Sequence, residues 1–452
     1  MKSTRSLHLL FAATTLAGCV SGEDDLDLGE VEQAVSCPVP ALVTERSLAV
    51  TDPEILAKFS FQRVMTAINT SASGTGTPLQ LYKEWMATWG ACTDPAVDPN
   101  GYGIVCPRVE TQLGAFNPFA TTGARFVPVA LMNRFDLAPT NGADCGEYRV
   151  VYAMQGGNGR AFIIFESRLP NPDVAAGATG CAGVADFWAK LSTDASVTSR
   201  ATKLERFYFT GITAEGKTFK PVVAAANYGL ASAGAAFAKG QIRTNFFGQF
   251  QEWHLREFKL KKPCATGAAC KLSVAHTTVK TNPADELFRG THTRSAAFQT
   301  SFLNQVGTLS RVNPATIAMT TNNNHNEFES SAQVTDVVYR DFTQAAFRTQ
   351  IQSKITNPRL TVNNILDRAT TQTCGGCHQH SNFVNLGDGV TWPSSLGFVH
   401  VDENRTLSDA LRLSFLPRRA AVLKSFLDRQ CSGTATVDDG LTLSGASHDA
   451  SN

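Results

Sequence analysis

Apolar positions between Glu54 and Trp89 recur at helical spacing. Ile55, Phe59, Val64 and Ile68 are followed by Leu79, Leu81, Trp85 and Met86, which predicts helices there. A Pro/Gly/Asp-rich loop runs from Cys92 to Cys106, and beyond it the period shifts to two. Arg125–Met132, Tyr148–Met154, Ala161–Ser167, Gln241–Phe246, Trp253–Leu260 and Leu272–Lys280 are rich in β-branched and aromatic residues and are bounded by turn formers, so they predict strands. Gly156-Gly157-Asn158-Gly159 reads as a hairpin turn, and Val184–Leu191 and Ala201–Phe209 as helical insertions. From Asp285 the spacing is helical again, over Ser295–Leu309, Val337–Ile355, Val362–Ala369 and Ala420–Gln430. The pattern predicts an α+β fold: a mainly antiparallel sheet domain with helices over residues 37–290, then a helical region over 291–431. The Ser/Thr/Gly/Asp tail, 432–452, has too little apolar content to pack and is expected to be disordered.

The start of the chain is a different kind of segment. Lys2 and Arg5 precede an apolar stretch from Leu7 to Leu16, and Leu16-Ala17-Gly18-Cys19 closes it with small residues, the plan of an export signal too short to span a bilayer. The Leu-Ala-Gly-Cys ending resembles the lipobox of bacterial lipoproteins. That resemblance implies removal of residues 1–18 and acylation of Cys19, which would anchor the chain in a lipid bilayer. Val20 in place of an Asp after the cysteine implies the outer membrane of a Gram-negative cell. Residues 19–36 carry Glu23, Asp24, Asp25, Asp27, Glu30 and Glu32 with no basic residue and read as a solvated tether. The whole chain balances 40 basic against 39 acidic side chains, and near neutrality argues against a nucleic-acid partner.

Eleven cysteines fit an exported chain. Apart from Cys19, Cys374 and Cys377, eight remain. Short separations suggest Cys92–Cys106, Cys145–Cys181 and Cys264–Cys270, leaving Cys37–Cys431 to join the ends; spacing alone does not fix connectivity.

Cys374-Gly375-Gly376-Cys377-His378 is the C-x-x-C-H pattern of covalent haem attachment. The two thiols add across vinyl groups of the haem, and the adjoining imidazole becomes the proximal iron ligand. Residues of about 340–431, with a helix before the motif, Pro393 in an irregular loop and a closing helix, resemble a cytochrome c module. The resemblance implies a small all-α cytochrome c-like module carrying one haem c, held by Cys374 and Cys377 with His378 on iron. The chain departs from that family in having no methionine after Met319, so the usual distal thioether is missing. His400 is the candidate distal ligand, with Met319, His325 and His448 as more remote possibilities, and His380 sits too near His378 to reach the opposite face. Two other chemistries fit the same residues: a Cys374–Cys377 disulfide, and a zinc site made of Cys374, Cys377, His378 and His380.

Elsewhere the signals are structural. Arg134, Asp136, Glu147 and Arg149 suggest salt bridges at a sheet edge, and His254 should share a strand face with Arg256 opposite Trp253 and Leu255. The polar run Thr320–Glu327 reads as a solvated loop, and Phe246-Phe247-Gly248-Gln249-Phe250 as core packing. No G-x-S-x-G, H-E-x-x-H or P-loop pattern occurs. The expectation is therefore a lipid-anchored monohaem c-type protein that passes single electrons to an unidentified redox partner, an electron carrier or binding protein more than a hydrolase or transferase. The alternatives are a non-redox surface binding or structural lipoprotein with a Cys374–Cys377 disulfide, and an enzyme on the sheet domain with the haem as relay.

Overall fold

Alternation of side chains is what builds the centre of the molecule. In the computed structural model, whose described residues are 35–91, 97–247, 253–332 and 338–432, ten strands form: β1 (Ala49–Val50), β2 (Arg125–Arg134), β3 (Asp144–Gln155), β4 (Arg160–Pro170), β5 (Ile212–Ala214), β6 (Lys217–Phe219), β7 (Gln241–Phe247), β8 (Trp253–Lys261), β9 (Ser273–Thr277) and β10 (Ser330–Ser331). Eight of them make one antiparallel sheet in the order β1-β2-β3-β4-β7-β8-β10, with β9 also on β8, while β5 and β6 pair separately. The expected glycine turn joins β3 to β4, and Gly156 and Gly159 take positive φ there, at 71° and 81°. The leader, Cys19, most of the tether, Cys92, His448 and the tail after Ser432 lie outside the described residues.

The helices are α1 (Thr44–Ser47), α2 (Pro53–Leu56), α3 (Phe61–Ser71), α4 (Pro78–Ala87), α5 (Ala182–Lys190), α6 (Val197–Phe209), α7 (Asp285–Arg289), α8 (Ser295–Leu303), α9 (Val306–Leu309), α10 (Ala345–Lys354), α11 (Val362–Thr370) and α12 (Leu416–Ser432). Their starts are written in the sequence. Thr77 and Gln80 form a reciprocal capping box ahead of Pro78, and Thr361 and Asn364 form another at α11, each satisfying backbone N–H groups that a first turn leaves open. Pro417 has no N–H and would crowd the carbonyl one turn back, so the chain entering α12 widens into a π-type turn over Ala410–Phe415.

One face of the sheet is covered by α3 to α6. Tyr148, Tyr152 and Phe165 point to that side, where Phe61 meets Tyr152 at 5.0 Å, Phe207 meets Tyr148 at 5.1 Å, and Tyr148 stacks on Trp188 at 5.8 Å. All of these rings are buried or nearly so.

The opposite face corrects the expectation of a separate all-α cytochrome c-like module after the sheet domain. The C-terminal third closes over the sheet and is not detached from it. Val399, Val401, Leu411, Leu416, Val422, Leu423, Phe426 and Leu427 belong to the same buried cluster as the strand residues. Phe426 packs 4.8 Å from Phe135, and the Cys431 sulfur is bonded to Cys37. Helical periodicity identified α11 and α12 correctly; the apolar stripe of α12 is buried in the cluster of the strands that precede it by more than two hundred residues, whereas that of α11 packs with α7 to α10.

The disulfides Cys37–Cys431, Cys145–Cys181 and Cys264–Cys270 are formed, and Cys106 is disulfide-bonded as well. Cys37–Cys431 spans 394 residues, and a closure of that length removes the most entropy from the unfolded chain. Cys431→Ser is therefore expected to lower stability by about 3–5 kcal/mol. Urea unfolding of the oxidised wild type and the variant measures it, and equal midpoints would contradict it.

Candidate functional site: a cavity between the sheet and the Cys374–His378 turn

The second face of the sheet carries charge where a core would carry hydrocarbon. The register sets the layout. Phe162, Asn245 and Leu255 lie in one row across β4, β7 and β8; Val151, Ile164, Arg243 and Glu257 in the next; Arg149, Glu166 and Gln241 in the third; and Arg134, Glu147 and Arg168 in the last. Because side chains alternate, these rows all face the same way, and the surface grades from apolar to ionic along the strands. Ion pairs cross it. Arg134 Nε lies 3.0 Å from Asp136, Arg149 reaches Glu147 at 2.5 Å and Glu166 at 3.2 Å, and Arg243 reaches Glu166 at 3.1 Å and Glu257 at 2.9 Å. Arg149 and other arginines hold the Glu147 carboxyl well below the usual carboxylate range despite its burial. The expected four-residue cluster exists, with two differences. It lies in the body of the sheet, since β1 continues beyond β2, and it extends through Glu166, Gln241, Arg243 and Glu257, which sequence reading missed.

Between this face and the C-terminal third lies a cavity of about 600 Å³, lined among others by Cys374, Cys377, His378, His400, Trp392, Phe415 and Arg419. Such a volume is typical of an enclosed cofactor or ligand site.

The motif reaches the cavity through local geometry that its two glycines permit. α11 ends at Thr370, and a wide π-type turn over Gly376–His380 follows. A Cβ on Gly376 would stand 1.8 Å from the Thr370 carbonyl oxygen, and one on Gly375 would stand 2.5 Å from that of Ser331. Neither position has room for a side chain. The Gly375 N–H donates to Ser330 Oγ at 3.0 Å, and the Gly376 N–H to Thr373 Oγ1 at 2.9 Å, which pins the turn to β10 and to the end of α11.

Cys374 and Cys377 are free thiols while the other described cysteines are bonded. Burial pushes the Cys374 thiol up to about 11 and the Cys377 thiol up to about 12, so both are protonated at neutral pH and poor at oxidising to a disulfide, whose formation needs a thiolate. His378 is oriented on two sides. Its Nδ1 lies 2.8 Å from the Phe398 carbonyl, which fixes the proton on Nδ1 and leaves the Nε2 lone pair for a ligand. Its ring stacks 5.5 Å from Trp253. The same carbonyl accepts from Asn245 Nδ2 at 3.0 Å, tying the imidazole to β7. Burial lowers the imidazole to about 4, so it is neutral and able to coordinate at physiological pH.

His400 is in the cavity too, beside His378. Its Nε2 lies 3.3 Å from Cys377 Sγ, its Nδ1 lies 2.9 Å from Ser408 Oγ, and its ring centroid is 4.5 Å from that of His378. Imidazoles bound to opposite sides of one metal, with bonds of about 2 Å each, have centroids roughly 6 Å apart. The His380 ring is turned away, toward the Ala332 backbone. Among the described residues no three His, Cys, Asp or Glu side chains converge as a metal cluster, which is what the zinc alternative requires. Met319 and His325 are buried, Met319 in the core beneath α8 to α11 and His325 against Phe298 at 5.6 Å. His254 shares its face with Arg256 as expected, but is buried and 3.6 Å from Glu329.

Four histidines, His325, His378, His380 and His400, resist protonation in the fold, each chiefly through burial. Unfolding frees them to titrate near 6.5, so the unfolded chain binds more protons as pH falls. Their contribution to stability is complete above about pH 6.5 and is lost downward, through about 4 for His378, which alone contributes about 3 kcal/mol. Urea midpoints of the haem-free chain measured from pH 7 to pH 4 should fall steadily, and a flat profile would contradict this.

Comparison with protein-family models, with curated proteins and with solved structures finds no match to the chain.

Proposed function

We propose that the cavity holds one haem attached through Cys374 and Cys377, with His378 as its proximal ligand, and that the protein passes single electrons from a lipid-anchored position outside the inner membrane. The observation that carries this reading is the convergence of both free thiols and an Nε2-available imidazole on one cavity of about 600 Å³. The fit is chemical as well as spatial. Two unpaired thiols can add to vinyl groups, a neutral imidazole suits iron, and Val151, Phe162, Ile164 and Leu255 of the floor offer apolar contact to a flat ring system. The floor crosses five strands, about 19 Å at the usual strand spacing, broad enough for a macrocycle. When bound, a haem supplies reversible one-electron chemistry at iron. The residues of this chain orient the ligand imidazole, with Trp253 stacked on it, exclude water with Trp392 and Phe415, and surround the site with fixed charge. The export signal, Cys19 acylation, outer-membrane position and redox-protein partner belong to the same proposal and rest on the sequence.

His400 takes a place beside the proximal ligand in this reading. Its Nε2 lies 3.3 Å from Cys377 Sγ and its ring 4.5 Å from that of His378, which places it beside the motif turn.

Protein matured in a host with haem-attachment machinery is expected to be coloured, with sharp reduced visible bands and haem staining that survives denaturation. Cys374→Ser with Cys377→Ser should abolish the denaturation-resistant stain. A colourless wild-type protein sinks the proposal. His400→Ala should leave the ferric axial-ligand bands in place, and a change of spin state would return His400 to the iron.

A further inference from the structure

A short loop brings an imidazole onto one of the two motif thiols. The Ser408 N–H donates to the His400 carbonyl at 2.9 Å, and Val401 pairs with Leu407 as an antiparallel bridge. Asp402 closes the turn between them, accepting from the Asn404 and Thr406 amides through Oδ1. Ser408 thereby stands beside the His400 ring, with Oγ 2.9 Å from Nδ1, and Phe415 packs edge-on against that ring at 6.2 Å. The other ring nitrogen, Nε2, faces the Cys377 sulfur at 3.3 Å.

A thiol, a base within hydrogen-bond reach of it and a third group that orients the base are the parts of an activated nucleophile. The chemistry of the contacts sets their direction. A ring nitrogen is a better acceptor than a thiol sulfur, so the Cys377 S–H donates to Nε2. The Nδ1–H then donates to Ser408 Oγ, whose second lone pair takes the Leu411 N–H at 3.2 Å. Cys374 has different surroundings. It packs against the apolar cluster of Trp253, Leu255, Val279 and Ala332, and among the described residues no imidazole lies within hydrogen-bond reach of its sulfur.

We propose that His400, oriented by Ser408, is the base for carbon–sulfur bond formation at Cys377, so that the two motif cysteines differ in reactivity. This rests on the haem reading above and adds to it a residue that acts in attachment. In the step, Cys377 Sγ bonds to the inner carbon of a vinyl group as the C=C π bond breaks. The thiol proton passes to Nε2 and from there to the terminal vinyl carbon, so the addition is redox-neutral and needs no further reactant. At rest the buried pair is neutral, and the proton moves only as the carbon–sulfur bond forms. His400 is a catalytic residue of this step because it touches the reacting sulfur, and Ser408 is a positioning residue. Cys374, with no such base, adds second.

The test reads thiol addition to a C=C bond in the absence of haem. The mature chain, expressed without haem-attachment machinery, is incubated with acrylamide at neutral pH, and labelling of each cysteine is followed by peptide mass spectrometry. Cys377 should be labelled about tenfold or more faster than Cys374, the internal reference in every variant. His400→Gln should bring Cys377 down to the Cys374 rate, and Ser408→Ala should remove part of the excess. In His400→Ala, added imidazole should restore the excess, which a merely structural role for His400 would not give. Equal labelling of the two thiols in the wild type, no labelling of either, or a Cys377 rate indifferent to His400→Gln overturns the proposal. Each of those outcomes leaves the haem reading standing, since that reading is decided by the denaturation-resistant stain.

Discussion

A sheet face made of arginines and carboxylates constrains everything built against it. Arg134, Arg149, Glu147, Glu166, Arg243 and Glu257 lie on one side of five adjacent strands and are mostly out of water. Ion pairs in such a place do not by themselves favour folding over well-packed hydrocarbon, because desolvation takes back most of the Coulombic gain. What they do enforce is completeness, since removing one partner strands the other. The lid over this face therefore brings polar matter of its own. Arg419 comes from α12, and Lys280 makes a 3.0 Å hydrogen bond to Gln241. The helix-covered face of the same strands is aromatic and closes without such help, through Tyr148, Tyr152, Phe165 and the rings of α3 to α6. One sheet thus carries the stability on one side and the chemistry on the other.

That division explains why the C-x-x-C-H turn does not sit in a module of its own. A small all-α fold would bury the motif among its own helices. Here the motif turn is fastened to β10 by the Gly375 N–H and to β7 by way of the Phe398 carbonyl, and its imidazole is stacked on a β8 tryptophan. The two glycines between the cysteines serve this docking, for a side chain on either would strike a carbonyl oxygen of a neighbouring element. The Cys37–Cys431 bridge then holds the closing helix to the start of the folded chain, so the wall bearing Arg419 cannot peel away without a covalent bond breaking.

Most strands were legible because their alternation is local, and the helices because their stripes and caps are local. The ion-pair face was half legible. Arg134, Asp136, Glu147 and Arg149 fall close together in sequence, but Glu166 and Arg243 each come from another strand and Arg419 from a helix almost three hundred residues later. A lone charge in a strand otherwise rich in Ile and Phe looks like the solvent side of an amphipathic element. The pattern could not say that a second layer would cover that side. The same blindness produced the separate module, since periodicity tells that α11 and α12 bury a stripe and not what they bury it against. His400 was singled out because no methionine follows Met319 and His380 lies too near His378, but its position beside Cys377 depends on Ser408 and on the left-handed turn at Phe398, with φ of 70°, that spacing does not encode.

The cysteines draw the last distinction. An oxidising compartment tends to pair thiols within reach, and Cys374 and Cys377 lie three residues apart. Cys264 and Cys270, six apart, are joined on an exposed loop, whereas the motif pair is joined to nothing. The difference follows from environment. Burial under the sheet face raises both motif thiols far above neutrality, and exchange proceeds through the thiolate. The turn that holds them is also pinned at Gly375 and Gly376, which resists the closure a two-residue disulfide needs. Both unpaired thiols are directed into one cavity, beside the imidazole at the next position.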